Sequence, residues 1–381
     1  MKKFLISVVV LLSALFISFG GVTAFASGEV DTSSRSAILV DAGSGTVIYS
    51  KNETDRLPIA SMTKIMLLNL CFEKYDEGVY KFDDDVTVSK NASGMGGSQV
   101  FLEENGVYKA KDLLKSIIVA SANDASVAMA EFLYGNEEKC VEEMNAKCSE
   151  WGLKDTLFSN CTGLTKPTQY SCAKDVAEMF GKLVKHKEYF EFSKIWMDEV
   201  KHHEGRVTEI SNTNKLVRFY EGCDGGKTGY TSESGHCVAA TAKRGGLRLI
   251  SVVIKGTDSK TRFADASNMF NYGFDNFTSK MVVDCEKPMN IRVSVEKGKR
   301  ETIGVIAEKN VFVFSERNSK EKIRLDFIPR KTVAPVYAGD IVGEVVVYRD
   351  NVEYARVNAL ANETTEKKIF FDYIYDVAKS M

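Results

Sequence analysis

The sequence predicts an α+β protein in which a large mixed domain is followed by a small all-β domain. In the first 280 residues, β-rich runs near both ends enclose a long stretch with helical periodicity. From Met281 onward the pattern changes to short alternating runs at regular spacing, which is typical of strands. A chain of 381 residues, of which 44% are hydrophobic, is long enough for both domains.

The first 26 residues have the pattern of a secretory signal peptide. Lys2 and Lys3 precede an apolar run from Phe4 to Phe19, and Ala24-Phe25-Ala26 supplies the small residues of a cleavage site. The alternative is a retained anchor helix, for which the apolar run is short. In either case we expect the rest of the protein outside the cytoplasm, secreted or peripheral on the outer face of the cytoplasmic membrane.

Charge and cysteine content argue against several classes of protein. The formal net charge is −2, or −4 without the two lysines of the leader, and no block of like charge stands out. Such a balance argues against a nucleic-acid partner. The four histidines and eight cysteines show no metal-ligand spacing, so we predict neither a metal nor a cofactor. The pairing of the cysteines stays open, and Cys71, inside an apolar run, is expected to be a small core residue.

The predicted elements begin with a hairpin over Ser36 to Ser50 and a buried helix after Pro58. A proline and then Ser61 ahead of the apolar run Ile65 to Phe72 are typical of a helix start. Lys64 follows Ser61 by three residues, on the same helix face, so its amine can point at the serine hydroxyl. If burial or a neighbouring cation lowers the pKa of this lysine, the pair is a nucleophile with its own base. The alternative is a helix cap at Ser61 beside a solvated lysine.

The next stretch, residues 76–109, is polar and irregular, and Gly94 to Gly97 suggests a mobile loop near a site. A helix from Lys111 to Val119 breaks at Ser121-Ala122-Asn123-Asp124 and resumes to Gly135. Such a turn can present its serine and asparagine to a cleft, although ordinary helix caps prefer the same residues. Two further helices are predicted at Cys140–Trp151 and Lys174–Val184.

The end of the mixed domain is rich in β-structure. Its predicted strands are Gly225–Gly229, His236–Ala242 and Leu247–Ile254, and a helix is predicted at Arg262–Phe274. The triplet Gly226-Lys227-Thr228 is not a phosphate-binding loop, because Glu221 stands where that motif needs its first glycine.

A domain boundary is expected near residues 278–284, which gives a first domain at 27–280 and an all-β domain at 281–361. The strands predicted in the second domain are Ile291–Val295, Val311–Phe314, Ile341–Tyr348 and Val352–Val357. Residues 362–381 form a predicted amphipathic tail, whose apolar face carries Ile369, Phe370, Tyr373, Ile374 and Val377. Such a helix can lie in a membrane interface as an anchor, or dock on the β domain.

Three short motifs occur together in order along the chain: Ser61-Met62-Thr63-Lys64, Ser121-Ala122-Asn123 and Lys227-Thr228-Gly229. In this order and at these separations, the chain resembles the penicillin-binding proteins and serine β-lactamases. With Asn212-Thr213-Asn214, Leu247 to Val253 and the trailing β domain, it is more specifically similar to the low-molecular-mass D-alanyl-D-alanine carboxypeptidases, which are peptidase S11-like. The resemblance covers essentially the whole mature chain. It implies an antiparallel sheet packed between helices, a helical lobe and a C-terminal β-rich domain.

The resemblance also implies roles for the motif residues. Ser61 would attack the carbonyl of a D-Ala-D-Ala bond while Lys64 takes its proton, which gives an acyl-enzyme. Ser121 and Lys227 would pass a proton to the leaving amine, and Asn123 would position the substrate amide. The implied substrate is a peptidoglycan stem peptide ending in D-Ala-D-Ala, and β-lactams are the implied covalent inhibitors.

Substrate binding is expected on the strand that carries Lys227. By the same resemblance, this lysine, Thr228, Gly229 and Arg262 would hold the terminal carboxylate, a task that suits a guanidinium fork. The free N–H groups of Tyr230 and of the nucleophilic serine are the expected oxyanion hole.

Two other functions stay open at this point. A β-lactamase shares the acylation apparatus, but in class A enzymes a glutamate some tens of residues after the Ser-x-Asn motif activates the deacylating water. The corresponding stretch, Thr156 to Leu164, contains no acidic residue, so we expect penicillin to acylate Ser61 and stay on. A catalytically silent cell-wall-binding protein is the other alternative, although all the motif residues are present.

Overall fold

The computed structural model describes residues 30–374. The predicted signal peptide and the last part of the predicted tail, residues 375–381, lie outside the described residues. The strands of the first domain are β1 (Ser36–Asp41), β2 (Val47–Lys51), β3 (Asp85–Thr87), β4 (Val107–Lys109), β5 (Met197–Lys201), β6 (Val207–Ser211), β7 (Cys223–Thr231), β8 (Gly235–Arg244) and β9 (Leu247–Gly256). Its helices are α1 (Lys64–Asp76), α2 (Lys90–Ser93), α3 (Ala110–Val119), α4 (Asn123–Tyr134), α5 (Glu137–Glu150), α6 (Ala173–Leu183), α7 (Tyr189–Ser193), α8 (Leu216–Phe219) and α9 (Ser259–Asn276).

The centre of this domain is an antiparallel sheet of order β2-β1-β9-β8-β7. Strands β1 and β2 form the predicted hairpin, and β1 also pairs with β9, so β2 lies at one edge of the sheet. The chain leaves the sheet after β2 and returns at the opposite edge with β7. Among the described strands β7 pairs with β8 alone, so β7 is the second edge strand of the sheet.

Helices cover both faces of the sheet, and side chains that alternate along a strand reach different cores. Ile38 and Val40 of β1 pack in the core that α1, α3, α4 and α6 form on one face. Ala37 and Leu39 pack with α9 on the other face. The helical lobe built on α3, α4 and α5 stands beside the first core, and the cleft lies between this lobe and β7.

Two parts of the first domain differ from the sequence prediction. Residues 76–109, expected to be irregular, contain β3, α2 and β4, and the hairpin β5–β6 was not predicted. These elements are three to five residues long, so they are too short to show a period in the sequence. In the hairpin only Val200 and Ile210 are buried, which leaves its pattern predominantly polar.

The second domain is all-β. Strand β10 (Phe277–Val283) pairs with β13 (Val311–Glu316), and the remaining strands form a sheet of order β11-β12-β16-β15-β14. These strands are β11 (Met289–Ser294), β12 (Thr302–Ala307), β14 (Ile323–Pro329), β15 (Ile341–Arg349) and β16 (Val352–Ala361). The sequence analysis missed β12, which a glycine interrupts, and β14, an edge strand whose residues are mostly exposed.

The tail begins a helix at residue 370, and its first apolar side chains are exposed rather than packed on the β domain. Phe370 and Phe371 are each 74% exposed, and Ile374 is 50% exposed. Within residues 30–374 no helix is both long and apolar enough to cross a membrane.

Candidate active site

Ser61 lies in a 3-10 turn, Ala60–Thr63, that runs directly into α1. The sequence predicted a helix start here, and the first turn is tighter than an α-helical one. Residues three apart face the same side of such a turn, and Lys64 Nζ lies 3.0 Å from Ser61 Oγ.

Two glycines hold the backbone of this turn. A Cβ on Gly163 would lie 2.1 Å from the Ala60 carbonyl oxygen and 2.7 Å from the Ser61 nitrogen. A Cβ on Gly229, from the opposite side, would lie 2.6 Å from the Ile59 carbonyl oxygen and 3.1 Å from the same nitrogen. Since real Cβ atoms do not approach backbone this closely, larger residues at either position would move β7 or the loop away from the serine.

The Lys64 amine lies within hydrogen-bond distance of three oxygen atoms, one of which is the Ser61 hydroxyl. Nζ lies 2.7 Å from Asn123 Oδ1 and 2.5 Å from the Thr162 carbonyl oxygen, and both atoms can only accept hydrogen bonds. Asn123 Oδ1 is assigned because its Nδ2 donates to the Gly96 carbonyl at 2.7 Å. A neutral amine has two N–H groups and one lone pair. In that form the two acceptors take the N–H groups and the lone pair can accept the Ser61 hydroxyl, whereas a charged ammonium would donate to all three oxygens.

Burial favours this neutral form. Lys64 has no exposed surface, and no carboxylate among the described residues forms an ion pair with it. Burial lowers the pKa of Lys64 from its ordinary value to about 7, against the opposing influence of nearby Asp124. Near pH 7, a large fraction of the lysine is therefore a free base beside the hydroxyl.

The second motif lies in the turn between α3 and α4. Ser121 adopts a φ of +64°, which is uncommon for a residue with a side chain, and this turns its hydroxyl into the cleft. Asn123 begins α4, and its N–H donates to the Ser98 carbonyl at 2.7 Å. Asp124 accepts the N–H groups of Val100 and Leu102. The loop predicted to be mobile is thus fixed to the start of α4.

Lys227 on β7 completes the constellation. It is 1% exposed, and its Nζ donates to Ser121 Oγ at 2.7 Å and to the Thr228 carbonyl at 3.0 Å. Burial, then the neighbouring Lys64 and Arg262, hold the pKa of Lys227 well below its ordinary value. The structure therefore brings the three motifs into one cleft. The cleft contains two hydrogen-bonded pairs of serine and lysine: Ser61 with Lys64, and Ser121 with Lys227.

Hydrogen bonds from outside the motifs fix the start of β7. The Tyr189 hydroxyl accepts the Gly226 N–H at 3.0 Å, and Asn214 Nδ2 donates to the Gly225 carbonyl at 3.2 Å. Arg248 binds both carboxylate oxygens of Asp224 at 2.7 and 2.8 Å.

The Tyr230 N–H faces the open edge of β7. Along an edge strand, the N–H and C=O groups of every second residue point away from the neighbouring strand. The Thr228 carbonyl points away from β8, because it accepts a hydrogen bond from Lys227 in the cleft. Tyr230, two residues further on, therefore directs its N–H the same way, toward the serine. Its ring is 61% exposed and stacks on His236 at 4.4 Å.

Arg262 lies in the first turns of α9 and is 9% exposed. Its Nη1 donates to the carbonyls of Gly229 and Cys237, at 3.1 Å each, and Nη2 reaches Ser259 Oγ at 3.4 Å. The guanidinium is thus held against the sheet beside Gly229, and Nε has no hydrogen-bond partner among the described residues. The described contacts place the guanidinium against β7, beside Gly229.

Sequence reasoning missed three participants that act through their backbone. The Thr162 carbonyl and the Gly96 carbonyl position Lys64 and Asn123, and Gly163 allows the loop to approach Ser61. Backbone groups carry no sequence signature, and only the glycine, with a φ of +85°, offered a signal. Glu137 reaches the same loop, but its carboxylate accepts the Cys161 N–H at 3.0 Å. In the described part of the chain, no cluster of three or more His, Cys, Asp or Glu side chains is placed to hold a metal ion.

Known proteins agree with this architecture. The sequence model of the D-alanyl-D-alanine carboxypeptidase family, peptidase S11, matches residues 23–258, and that of the penicillin-binding protein 5 C-terminal domain matches residues 278–367. The D-alanyl-D-alanine carboxypeptidase DacF of Bacillus subtilis is 36% identical over 351 residues, which are 91% of this chain and 89% of that protein.

Solved structures confirm the predicted fold. Penicillin-binding protein 5 of Haemophilus influenzae superposes with a TM-score of 0.70 at 27% identity, over 90% of this chain and 100% of that chain. For a penicillin-binding protein 3 of Streptococcus pneumoniae the TM-score is 0.71 at 25% identity, over 88% and 100% of the two chains. The chain therefore belongs to the D-alanyl-D-alanine carboxypeptidase family of serine-type penicillin-binding proteins.

Proposed function

We propose that this protein removes the terminal D-alanine from peptidoglycan stem peptides through an acyl-enzyme on Ser61. The observation that carries the proposal is the environment of the Lys64 amine. Two carbonyl acceptors lie within reach of its N–H groups, the Ser61 hydroxyl lies 3.0 Å away, and burial lowers its pKa to about 7, so the neutral amine can turn its lone pair to that hydroxyl. That is the arrangement a general base needs before it can take the proton of a serine.

In the acylation step, Ser61 Oγ attacks the carbonyl carbon of the D-Ala-D-Ala bond as its proton moves to Lys64 Nζ. The carbonyl oxygen gains negative charge, which the N–H groups of Ser61 and Tyr230 stabilise. Gly229 supports this step because its missing side chain lets β7 lie against the turn that carries the serine.

The departing D-alanine needs a proton on its amine. Ser121 Oγ, hydrogen-bonded to Lys227 Nζ at 2.7 Å, supplies that proton, and the lysine restores it. Burial and the neighbouring Lys64 lower the pKa of Lys227, so its ammonium gives up a proton readily in this step. Asn123 Nδ2 and Oδ1 position the peptide amide beside the serine.

The terminal carboxylate of the substrate binds at the open edge of β7. Lys227, the Thr228 hydroxyl and the backbone at Gly229 surround this position. Arg262 completes the positive environment from behind the strand, where its Nη1 is fixed by the Gly229 carbonyl. D-Alanine leaves, and water then releases the shortened peptide from Ser61.

β-Lactams acylate the same serine, because their carbonyl and carboxylate match those of the D-Ala-D-Ala terminus. No acidic side chain from Thr156–Leu164 is available to activate a deacylating water, and Glu137 is engaged with the Cys161 N–H. The penicilloyl enzyme is therefore long-lived.

The same proposal includes location and domain roles. A catalytic domain at residues 27–280 is exported by the leader at 1–26 and carries a β-rich domain at 281–361. The tail from residue 362 holds the protein on the outer face of the cytoplasmic membrane through apolar side chains such as Phe370 and Phe371, which are exposed. A protein truncated after Asn362 should leave the membrane fraction, and unchanged retention would rule out this anchor.

The enzymatic proposal is tested with acetyl-Lys-D-Ala-D-Ala and benzylpenicillin. The wild-type protein should release D-alanine and gain the mass of one penicillin on Ser61, whereas Ser61→Ala should do neither. Equal release by both proteins would refute the proposal. Rapid multiple turnover of penicillin would instead identify a β-lactamase, and failure of folded wild-type protein to bind penicillin would identify a silent binding protein.

A further inference from the structure

If the proposed function is right, the bound substrate has a defined orientation along β7. The substrate carboxylate lies at Lys227 and Thr228, and the scissile carbonyl lies between the N–H groups of Ser61 and Tyr230. The substrate thus runs antiparallel to β7. Its residues on the amino side of the scissile bond continue past Tyr230, toward the turn between β7 and β8.

A pocket of about 300 Å³ lies at that end of the cleft. Its walls are Pro58–Ala60, directly before the nucleophile, the loop Gly163–Pro167, and the β7–β8 turn at Thr231 and Glu233. Prolines at the outer ends of the first two segments restrict their backbones, and Gly163 is packed against Ala60. The Thr165 hydroxyl donates to Glu233 at 3.1 Å and ties the loop to the turn. The pocket is therefore a preformed feature next to the serine.

Charges of opposite sign line this pocket without neutralising each other. Lys166 and Glu233 both belong to its lining, yet within residues 30–374 neither forms an ion pair, with the other or with any other residue. Hydrogen bonds from its own backbone N–H and from neighbouring hydroxyls lower the pKa of Glu233, so it is ionised at neutral pH. Arg56, the remaining cation of the lining, is already bound to Asp155 at 2.9 Å.

We propose that this pocket binds the side chain of the substrate residue directly before D-Ala-D-Ala, and that it selects a side chain bearing both an amine and a carboxylate. The amine pairs with Glu233 and the carboxylate with Lys166. A simple amine satisfies one of the two charges, and an aliphatic side chain satisfies neither. A diamino dicarboxylic residue satisfies both.

Three peptides of the form acetyl-X-D-Ala-D-Ala test this selection, with norleucine, lysine or 2,6-diaminopimelate as X. For the wild-type protein, kcat/KM for D-alanine release should rise in that order, by roughly two- to fivefold at each step, which is the range of an exposed ion pair. Glu233→Gln should abolish the gain from norleucine to lysine. Lys166→Gln should abolish the gain from lysine to diaminopimelate.

Control variants separate charge recognition from damage to the site. Glu301→Gln, just before β12, and Lys280→Gln, on β10, change exposed charges outside the cleft and should keep all three ratios. Benzylpenicillin lacks this side chain, so Glu233→Gln and Lys166→Gln should be acylated at the wild-type rate. Equal kcat/KM for the three peptides with the wild-type protein would overturn the selection, as would an equal loss for all three in both pocket variants. Release of D-alanine from none of the peptides would instead overturn the proposed function, and this inference with it.

Discussion

The two domains differ in whether their charged side chains are buried. The first domain buries Asp41, Lys64, Asp124, Asp175, Lys227, Arg262 and Asp265, whereas from β10 to residue 374 the only described polar side chains that are buried are Ser279 and Thr365. In the second domain, charged residues pair at the surface, as Arg356 does with Glu344 and Glu353. Burying a charge costs free energy, so stability alone does not explain a domain that buries several charged side chains.

The buried acids and the buried lysines of the first domain also differ. Asp265 accepts the N–H and the hydroxyl of Ser34 at 2.9 and 2.5 Å, and Asp124 accepts two backbone N–H groups, so these carboxylates are satisfied structural groups. Lys64 and Lys227 have no carboxylate partner among the described residues. Their burial lowers their pKa values instead, which suits the proton transfer that the proposed mechanism assigns to them.

Replacing Lys64 with methionine should have the largest effect on acylation. Lys64→Met keeps the length of the side chain but removes the base, and general base catalysis contributes roughly 10²- to 10⁴-fold. Benzylpenicillin acylation, followed by mass spectrometry, should slow by that factor. Lys74→Met, on the exposed end of the same helix, is the matched control and should acylate normally. Wild-type rates in Lys64→Met would remove this lysine from the mechanism.

The next largest effect is expected at Gly229. The new methyl group of Gly229→Ala would meet the Ile59 carbonyl oxygen at 2.6 Å, so β7 must move away from the serine turn. A displacement of about 1 Å in such a site can cost about 10²-fold in rate. Gly181→Ala, in α6, meets only Ile250 Cδ1 at 3.8 Å and should acylate normally. If Gly229→Ala acylated as fast as Gly181→Ala, the contact between β7 and the turn would not set the geometry of the site.

The pH dependence should follow the lysine of the first motif. In the proposed mechanism the base is the neutral amine of Lys64, whose pKa burial lowers to about 7. The acylation rate should therefore fall about tenfold for each pH unit below 7 and level off above it. A stopped-flow pH profile with a chromogenic cephalosporin measures this directly. A flat profile between pH 5 and 8 would mean that Lys64 does not titrate as the base.

Stability should show the same titration with a defined sign. The folded-state pKa of Lys64 is depressed relative to the unfolded value of 10.5, so between about pH 7 and 10.5 the unfolded chain holds the additional proton. The free energy of unfolding of the wild-type protein should therefore rise with pH across this window, relative to that of Lys64→Met. If the free energy of unfolding changed equally in the two proteins between pH 7 and pH 10, this would contradict a buried neutral amine.

Sequence reasoning placed the parts of the site that depend on side chains and missed those that depend on backbone. Ser61, Ser121, Asn123 and Lys227 were found because three short motifs stand in a recognisable order. The Thr162 carbonyl, which lies 2.5 Å from the Lys64 amine, was not found, because any residue supplies a carbonyl oxygen. The role of that loop depends on the conformation of its backbone, which its sequence does not predict.

The same limit applies to the fold. The long helices and the central strands were predicted because their burial imposes a period or an apolar run on the sequence, as in Leu247–Gly256. The hairpin β5–β6 and strand β14 were missed because only one or two of their side chains reach a core. Where packing does not constrain side chains, hydrogen bonds between backbone groups determine the structure. Such bonds leave little pattern in the sequence.

The smallest effect on acylation is expected from the core of the second domain. Val347 on β15 is fully buried among apolar side chains, and Val347→Ala should cost this domain roughly 2 kcal/mol of stability through lost burial and the cavity left behind. Acylation at temperatures where the protein is folded should not change, because no group of the cleft packs against this core. Val352→Ala, at a position that is 70% exposed, should change neither property. If Val347→Ala slowed acylation, the second domain would contribute to the geometry of the cleft. The two domains would then not differ as proposed, with buried charges for chemistry in the first and an apolar core for stability in the second.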